Sequence, residues 1–389
     1  MSTPSSSRPV TAAILGCAAL MLVGWTGLLV PALIRSIERD FGQTDAGIGI
    51  WLFLDAVAYV AGSMLGGLLT ERFGRRIVLG TAVLLMALGL AGLATVPSWG
   101  LFLAFGIPFG FGSGAIDGGT NGLILELYPA SRGRALNVLH LFFSLGALGS
   151  PLVVGRLAEA GMTWQSIVLG SAFPAVILLV LVAVADLPSG RHARVPGANG
   201  PRIRLAVPLV ALAFAIGCYV ASEVGVSDWL VQFLATASIG LATSALALFW
   251  GCLALGRLVS AKVSDRFDHA RLAAIASLTA GLALIAAVLV PSLPASILLF
   301  GAAGFAYGPI YPLIMAVAGD RFPDRSAAVS GFLAGCAVIG AIIYPPIMGF
   351  LSVGAGLGVA MIGAAILAMA GATVLFLVGR TTAPSMVPE

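Results

Sequence analysis

The sequence predicts an all-α integral membrane protein of twelve spanning helices, built as two parallel repeats of six. Three observations carry this: the scarcity of charge, the length of the apolar blocks and an internal repeat. Hydrophobic residues fill 59% of the 389 positions and charged residues 9%, where a soluble domain holds about 25% charged residues. A soluble globule has too little interior to hide that much apolar surface. The excess is arranged in long blocks, such as Ala12 to Ile34, Gly47 to Leu69 and Ile77 to Ala94, several of them meeting the roughly 18-residue criterion for crossing a bilayer.

Taking turn-rich and polar breaks as boundaries places helices near 11–34, 46–70, 76–96, 99–127, 134–158, 163–186, 205–234, 241–263, 270–290, 294–319, 327–350 and 355–379. The first block follows Arg8 but runs past Trp25 to Ile34 with no small-residue cleavage pattern, so it reads as a retained helix and not a signal peptide. An even count puts both termini on one side. Of the 20 Lys and Arg residues, all but Arg35, Arg39 and Arg156 fall in the tails or at the ends of the loops that follow even-numbered helices. By the positive-inside rule both termini are cytoplasmic, in a multi-pass protein of the cell membrane.

The net charge of +4 comes from arginines scattered through short loops, with no basic face carrying aromatics, which argues against nucleic-acid binding. Cys17, Cys218, Cys252 and Cys336 sit in apolar segments without CxxC spacing, so neither a disulfide framework nor a metal site is expected. No GxSxG elbow or HExxH helix is present, and neither catalytic residues nor a cofactor is expected.

Residues 187–204 hold four arginines, three prolines and no apolar block, and they divide the chain into halves 1–186 and 205–389. An offset of 194 positions carries Gly110, Gly114, Gly146, Pro151 and Gly155 onto Gly304, Gly308, Gly340, Pro345 and Gly349. The halves are copies. Six helices per copy means that both enter the membrane in the same direction, a parallel repeat about the membrane normal.

Between the second and third helices stands Gly67-Leu-Leu-Thr-Glu71-Arg72-Phe73-Gly74-Arg75-Arg76, with a degraded copy running from Gly256-Arg257 to Asp265-Arg266. The first stretch resembles the G-x-x-x-D-R-x-G-R-R signature of the major facilitator superfamily, with Glu71 in place of Asp. Gly67 permits close helix approach, Gly74 suits a helix C-cap and the arginines face anionic headgroups. The resemblance implies a gating role for Gly67, Glu71, Arg72, Gly74, Arg75, Arg76, Asp265 and Arg266. Three further stretches, Gly110 to Asn121, Arg134 to Ala147, and Tyr219 to Glu223 followed by Trp229, are similar to the fucose-galactose-glucose symporter branch.

An ionisable side chain at membrane depth costs about 2.5 to 3.5 kcal/mol on insertion scales, so each one is a functional candidate. These are Asp55, Asp117, His140 and Glu223. Asp117 and Asn121 share one helix face, as do Asn137 and His140. At a rise of about 1.5 Å per residue, Asp117 lies some 13 Å and His140 some 9 Å from the cytoplasmic end, so the two pairs can meet. Glu223 lies about 27 Å from the start of its helix.

In the superfamily the first, fourth, seventh and tenth helices line a central cavity, which the resemblance furnishes with Trp25, Asp117, Asn121, Glu223, Tyr307 and Tyr311. Carboxylates and amides suit sugar hydroxyls and aromatic faces stack on a pyranose, so Asn137, His140 and Trp229 join the candidate substrate contacts, with Asp117 and Glu223 as candidate ion-coupling groups. Bland readings stay open: Asn137 and His140 as ties between helices, Asp55 as structural, and Tyr307 and Tyr311 as packing around Gly308-Pro309. The expected function is ion-coupled symport of a monosaccharide, with proton or sodium as the ion and a monomer as the unit. The alternative is proton-coupled efflux of amphipathic compounds.

Overall fold

In the computed structural model, residues 7–129, 131–189, 206–322 and 326–380 are described, and all regular structure among them is helical. The chain forms α1 (Ser7–Gly27), α2 (Leu29–Phe41), α3 (Asp45–Phe73), α4 (Arg75–Thr95), α5 (Trp99–Leu127), α6 (Arg132–Glu159) and α7 (Trp164–Val184). It continues as α8 (Val207–Phe233), α9 (Ile239–Val263), α10 (His269–Leu289), α11 (Leu293–Tyr307), α12 (Ile310–Arg321), α13 (Ser326–Ala355) and α14 (Leu357–Arg380). Twelve stretches are long and apolar enough to cross a membrane. Most of the expected linker, 187–204, lies outside the described residues.

The first span departs most from the sequence reading. It runs from Val10 to Phe41 and does not stop at residue 34. The charges of Arg35, Glu38, Arg39 and Asp40 read as loop. Val30, Leu33, Ile34 and Ile37 nevertheless keep the helical spacing of an apolar stripe, and all four are buried. The polar face opposite holds the charges, and Asp40 Oδ2 accepts from both Trp164 Nε1 and Gln165 Nε2 at 2.6 Å, tying α2 to α7. Gly42, in the left-handed region at φ 60°, ends the helix.

The tenth span breaks into α11 and α12 at Gly308-Pro309. Pro309 has no N–H and its ring clashes with the carbonyl four residues back, so an uninterrupted helix is disfavoured here.

Packing divides the chain into two units, Met1–Val195 with Ser238–Ala247, and Pro196–Ala237 with Leu248–Glu389. Within the first, α1 packs on α6, α3 on α5, and α4 on α5 and α7. Within the second, α8 packs on α13 and α14, and α10 on α14 and α11. In place of large side chains, glycines bring the backbones together. A Cβ on Gly62 would overlap the Phe111 carbonyl, and one on Gly114 the Tyr59 carbonyl. In the second unit Gly256 meets the Phe305 carbonyl and Gly308 the Leu253 carbonyl in the same way. Each pair is related by the offset of 194, so the sequence repeat is a repeat of helix contacts.

The first and eighth helices break that register. Gly146 abuts the Met21 carbonyl, whereas its counterpart Gly340 abuts the Gly217 carbonyl, an offset of 196. Glu223 is therefore equivalent to Gly27, and not to Leu29 as a uniform offset would give.

Candidate functional site

The polar centre of the first unit is built on the seam between α3 and α5. Gly110, Gly114 and Gly118, one turn apart on α5, lie against the carbonyls of Asp55, Tyr59 and Ser63, one turn apart on α3. Both series ascend together, so the helices run parallel and their polar side chains are brought level. Asn121 Nδ2 donates to Asp117 Oδ1 at 2.8 Å and to the Asp117 carbonyl at 3.0 Å. His140 Nε2 stands 3.2 Å from Asn121 Oδ1, and Tyr59 of α3 is an electrostatic neighbour of Asp117.

The expected meeting of the Asp117–Asn121 and α6 pairs is thus made through His140. Asn137 is exposed about one turn away, and among the described residues no side-chain hydrogen bond joins it to the chain. Tyr59 was missed by the sequence reading. Its spacing from Asp55, four residues on one helix face, is the signal that points to it.

The second unit is arranged differently. Glu223, 6% exposed, pairs with Arg257 of α9 at 3.9 Å. Side chains tilt toward the N-terminus of their own helix. Neighbouring antiparallel α8 and α9 therefore lean Glu223 and Arg257 toward each other, and a residue near the end of α9 reaches one in the middle of α8. Glu223, a candidate ion-coupling group by sequence, thus carries an internal counterion.

Two aromatic candidates move from the expected lining to the packing. Tyr307 is fully buried, its hydroxyl 2.5 Å from Ser222 Oγ, which donates to the Ala364 carbonyl at 2.6 Å. Trp229 is fully buried and donates from Nε1 to the Pro345 carbonyl at 2.8 Å. A side chain with no exposed surface and its polar atom satisfied has nothing to offer a solute. Trp25, partly exposed, commits its indole N–H to Ser171 on α7 at 3.0 Å. Tyr311 is partly exposed at the start of α12.

The residues expected to serve gating are placed one by one. Gly74 caps α3 at φ 90°, a conformation that favours glycine. Arg75 is buried and its Nη2 pairs with Glu126 Oε2 of α5 at 2.7 Å. Arg76 donates to the Ala185 carbonyl, Arg72 lies 5.2 Å over the Phe73 ring, and Glu71 is exposed. Nothing lies within 4 Å of a Cβ on Gly67, so the close-approach role expected of Gly67 belongs to Gly62 and Gly66. Arg266 lies in a 3-10 turn, Ser264–Arg266. Asp265 shares that turn, and its side chain lies outside the described ones.

Among the described residues no cluster of His, Cys, Asp and Glu is arranged to hold a metal ion. What the first centre offers is a half-buried carboxylate joined through an amide to an exposed imidazole. These groups hydrogen-bond polar solutes and hold or release a proton.

Comparison with known proteins places this geometry. The Major Facilitator Superfamily profile matches residues 14–236 and again 206–388. An uncharacterized MFS-type transporter, YfkL of Bacillus subtilis, is 22% identical over 371 residues, 88% of this chain and 91% of the relative. Protein TsgA of Salmonella schwarzengrund is 25% identical over 322 residues, 80% of this chain and 77% of its own length. Among solved structures, a bacterial homolog of the human lysosomal transporter Spinster superposes with a TM-score of 0.80 at 16% identity, covering 98% of this chain and 100% of that one. The D-xylose-proton symporter superposes with a TM-score of 0.78 at 18% identity, covering 95% and 97%. With both repeats matched by the family profile and the fold shared over nearly the whole length, the chain belongs to the Major Facilitator Superfamily of membrane transporters.

Proposed function

We propose that this transporter is an ion-coupled symporter of a monosaccharide, working by alternating access, and that it catalyses no chemical conversion. The observation that carries the reading is the Asp117–Asn121–His140 hydrogen-bonded chain. A cavity for amphipathic compounds has little need of such groups, whereas hydroxyl-rich solutes are recognised by carboxylate, amide and imidazole. The likeness of three stretches to fucose-galactose-glucose symporters points the same way, and the D-xylose-proton symporter shares the fold. Residues 1–186 and 205–389 act as the two moving halves, with both termini cytoplasmic as the arginine distribution requires. The protein functions as a monomer in the cytoplasmic membrane.

Of the two candidate coupling groups, Asp117 is the stronger. Its partners are neutral or titratable, while Glu223 is already matched by Arg257. Counterflow into proteoliposomes with labelled L-fucose, D-galactose, D-glucose and D-xylose, with and without sodium or a pH gradient, tests the proposal. Exchange of at least one sugar, accelerated by one of the two ions, is expected. Failure with every sugar alongside transport of a cationic dye would reverse the reading in favour of efflux.

A further inference from the structure

One ion pair occurs in both units with different chemistry. In the first unit Arg75, the opening residue of α4, meets Glu126, one residue before the end of α5, at 2.7 Å. The offset of 194 carries Arg75 onto His269 and Glu126 onto Asp320. His269 opens α10, Asp320 stands one residue before the end of α12, and His269 Nδ1 lies 2.9 Å from Asp320 Oδ2. The backbone around the pair is duplicated with it. The Val78 and Tyr128 N–H groups donate to the Gly74 and Ile124 carbonyls, and their equivalents Leu272 and Phe322 donate to Asp268 and Ala318. A carboxylate near a helix C-terminus is disfavoured by the helix dipole and gains from a cation beside it.

The two braces differ in what a proton does to them. Arginine keeps its charge across the physiological range, whereas histidine is the side chain that changes charge between about pH 5 and 8. Access differs in the same sense: the Arg75 and Glu126 side chains are 5% and 28% exposed, those of His269 and Asp320 25% and 66%. The charged groups on the elements packed around His269 are Asp268 and Arg271 beside it, Asp265 and Arg266 on the preceding turn, Arg321 on α12 and Arg380 on α14. Asp268 caps α10 by accepting from the Arg271 N–H, and Arg321 donates to the Val378 carbonyl. The tyrosines of α11 and α12, Tyr307 and Tyr311, lie at the other ends of the contact. None of these residue types changes charge in the histidine window.

We propose that His269 and Asp320 form a proton-sensing brace at the end of the second unit, a protonation-dependent copy of the constitutive Arg75–Glu126 brace of the first. Protonated His269 holds Asp320 by charge, and neutral His269 offers it a hydrogen bond alone. The tie between α10 and α12 is therefore strongest at low pH and weakens as pH rises. Arg266, Arg271 and Arg321 mark this end as the cytoplasmic one, so the brace responds to the pH of the cytoplasm. It stands apart from Asp117 and Glu223 and requires neither a sugar nor a coupling ion.

Amide hydrogen exchange of the full chain in nanodiscs tests this without substrate, with each rate divided into the intrinsic rate of that amide at the same pH. From about pH 6 to about pH 8, protection of the Leu272 and Phe322 amides is expected to fall about two- to fivefold, the scale of an exposed ion pair. Protection of Val78 and Tyr128 is expected to stay level. His269→Arg is expected to hold the second unit at its low-pH protection throughout, and Asp320→Asn at its high-pH protection. A wild type with no change at Leu272 and Phe322, an equal change in both units, or a change that persists in His269→Arg overturns the proposal. If His269→Arg fails a thermal-unfolding check, His269→Gln decides: protection level with pH supports the brace, and the wild-type pH dependence overturns it.

Discussion

The two units share a scaffold and differ in charge. At equivalent contacts the first presents Asp55, Tyr59, Ser63 and Asp117 where the second presents Phe249, Leu253, Arg257 and Tyr311. The glycines that press the helices together are kept, while the side chains beside them are exchanged. In the first unit Asp55 and Asp117 have no arginine or lysine paired with them among the described residues. In the second a single carboxylate carries its own arginine. A duplicated frame thus leaves carboxylates without a basic partner in one copy and neutralises a carboxylate internally in the other.

The largest expected effects break the shared part of this comparison. Gly114→Leu and Gly308→Leu each drive a side chain into a facing carbonyl, and overpacking of this kind costs about 3 kcal/mol or more. Both variants are expected to lose folded yield in fluorescence-detected gel filtration to a similar degree. Survival of one alone would show that the two seams are not equivalent.

Next comes the asymmetry of charge. Arg257→Met strands Glu223, which is buried, and removal of one partner of a buried pair costs about 3 to 5 kcal/mol, here toward the lower figure because the Arg257 side chain is 32% exposed. Thermal unfolding checks this, with Glu223→Gln in the same chain expected to recover most of the loss. No recovery would mean that Arg257 is held for packing and not for its charge.

Smaller effects separate the tyrosines. Tyr307→Phe removes a buried hydrogen bond to Ser222 and is expected to lower stability by about 1 kcal/mol with transport coupling unchanged. Tyr59→Phe is expected to do the reverse, weakening accumulation against a gradient while the unfolding midpoint holds. Smallest of all, Asn137→Ala, an exposed substitution outside the hydrogen-bonded chain, is expected to stay within about 0.5 kcal/mol and to leave sugar affinity unchanged in counterflow titrations.

Much of the frame was legible before the structure, because spanning length and glycine spacing are written directly in sequence. The eleven later spans begin and end within a few residues of their predicted bounds, except that the eleventh runs on to Ala355. The first ran seven residues longer, because charges on one face of α2 mask the apolar stripe on the other. Asp117, Asn121 and His140 were readable as a cluster, since ionisable groups at depth stand out against an apolar background. Tyr59 and Glu126 were not. A tyrosine in an apolar run looks like packing, and a glutamate at a helix end looks like solvated charge, until the facing helix is known. Trp229 and Tyr307 misled in the opposite sense: an aromatic ring suits a sugar face and a helix core equally, and only burial separates the two. The equivalence of Glu223 was displaced because the first helix slips by two residues against the sixth in α-numbering, a change that no uniform offset contains.

The central claim is that the coupling chemistry belongs to the first unit. It is tested most directly by proton-driven accumulation of the transported sugar in proteoliposomes bearing Asp117→Asn or Glu223→Gln, with exchange measured in parallel. The account predicts that Asp117→Asn abolishes accumulation while retaining exchange, and that Glu223→Gln still accumulates. Uphill accumulation by Asp117→Asn at the wild-type level, with Glu223→Gln reduced to exchange, would contradict it.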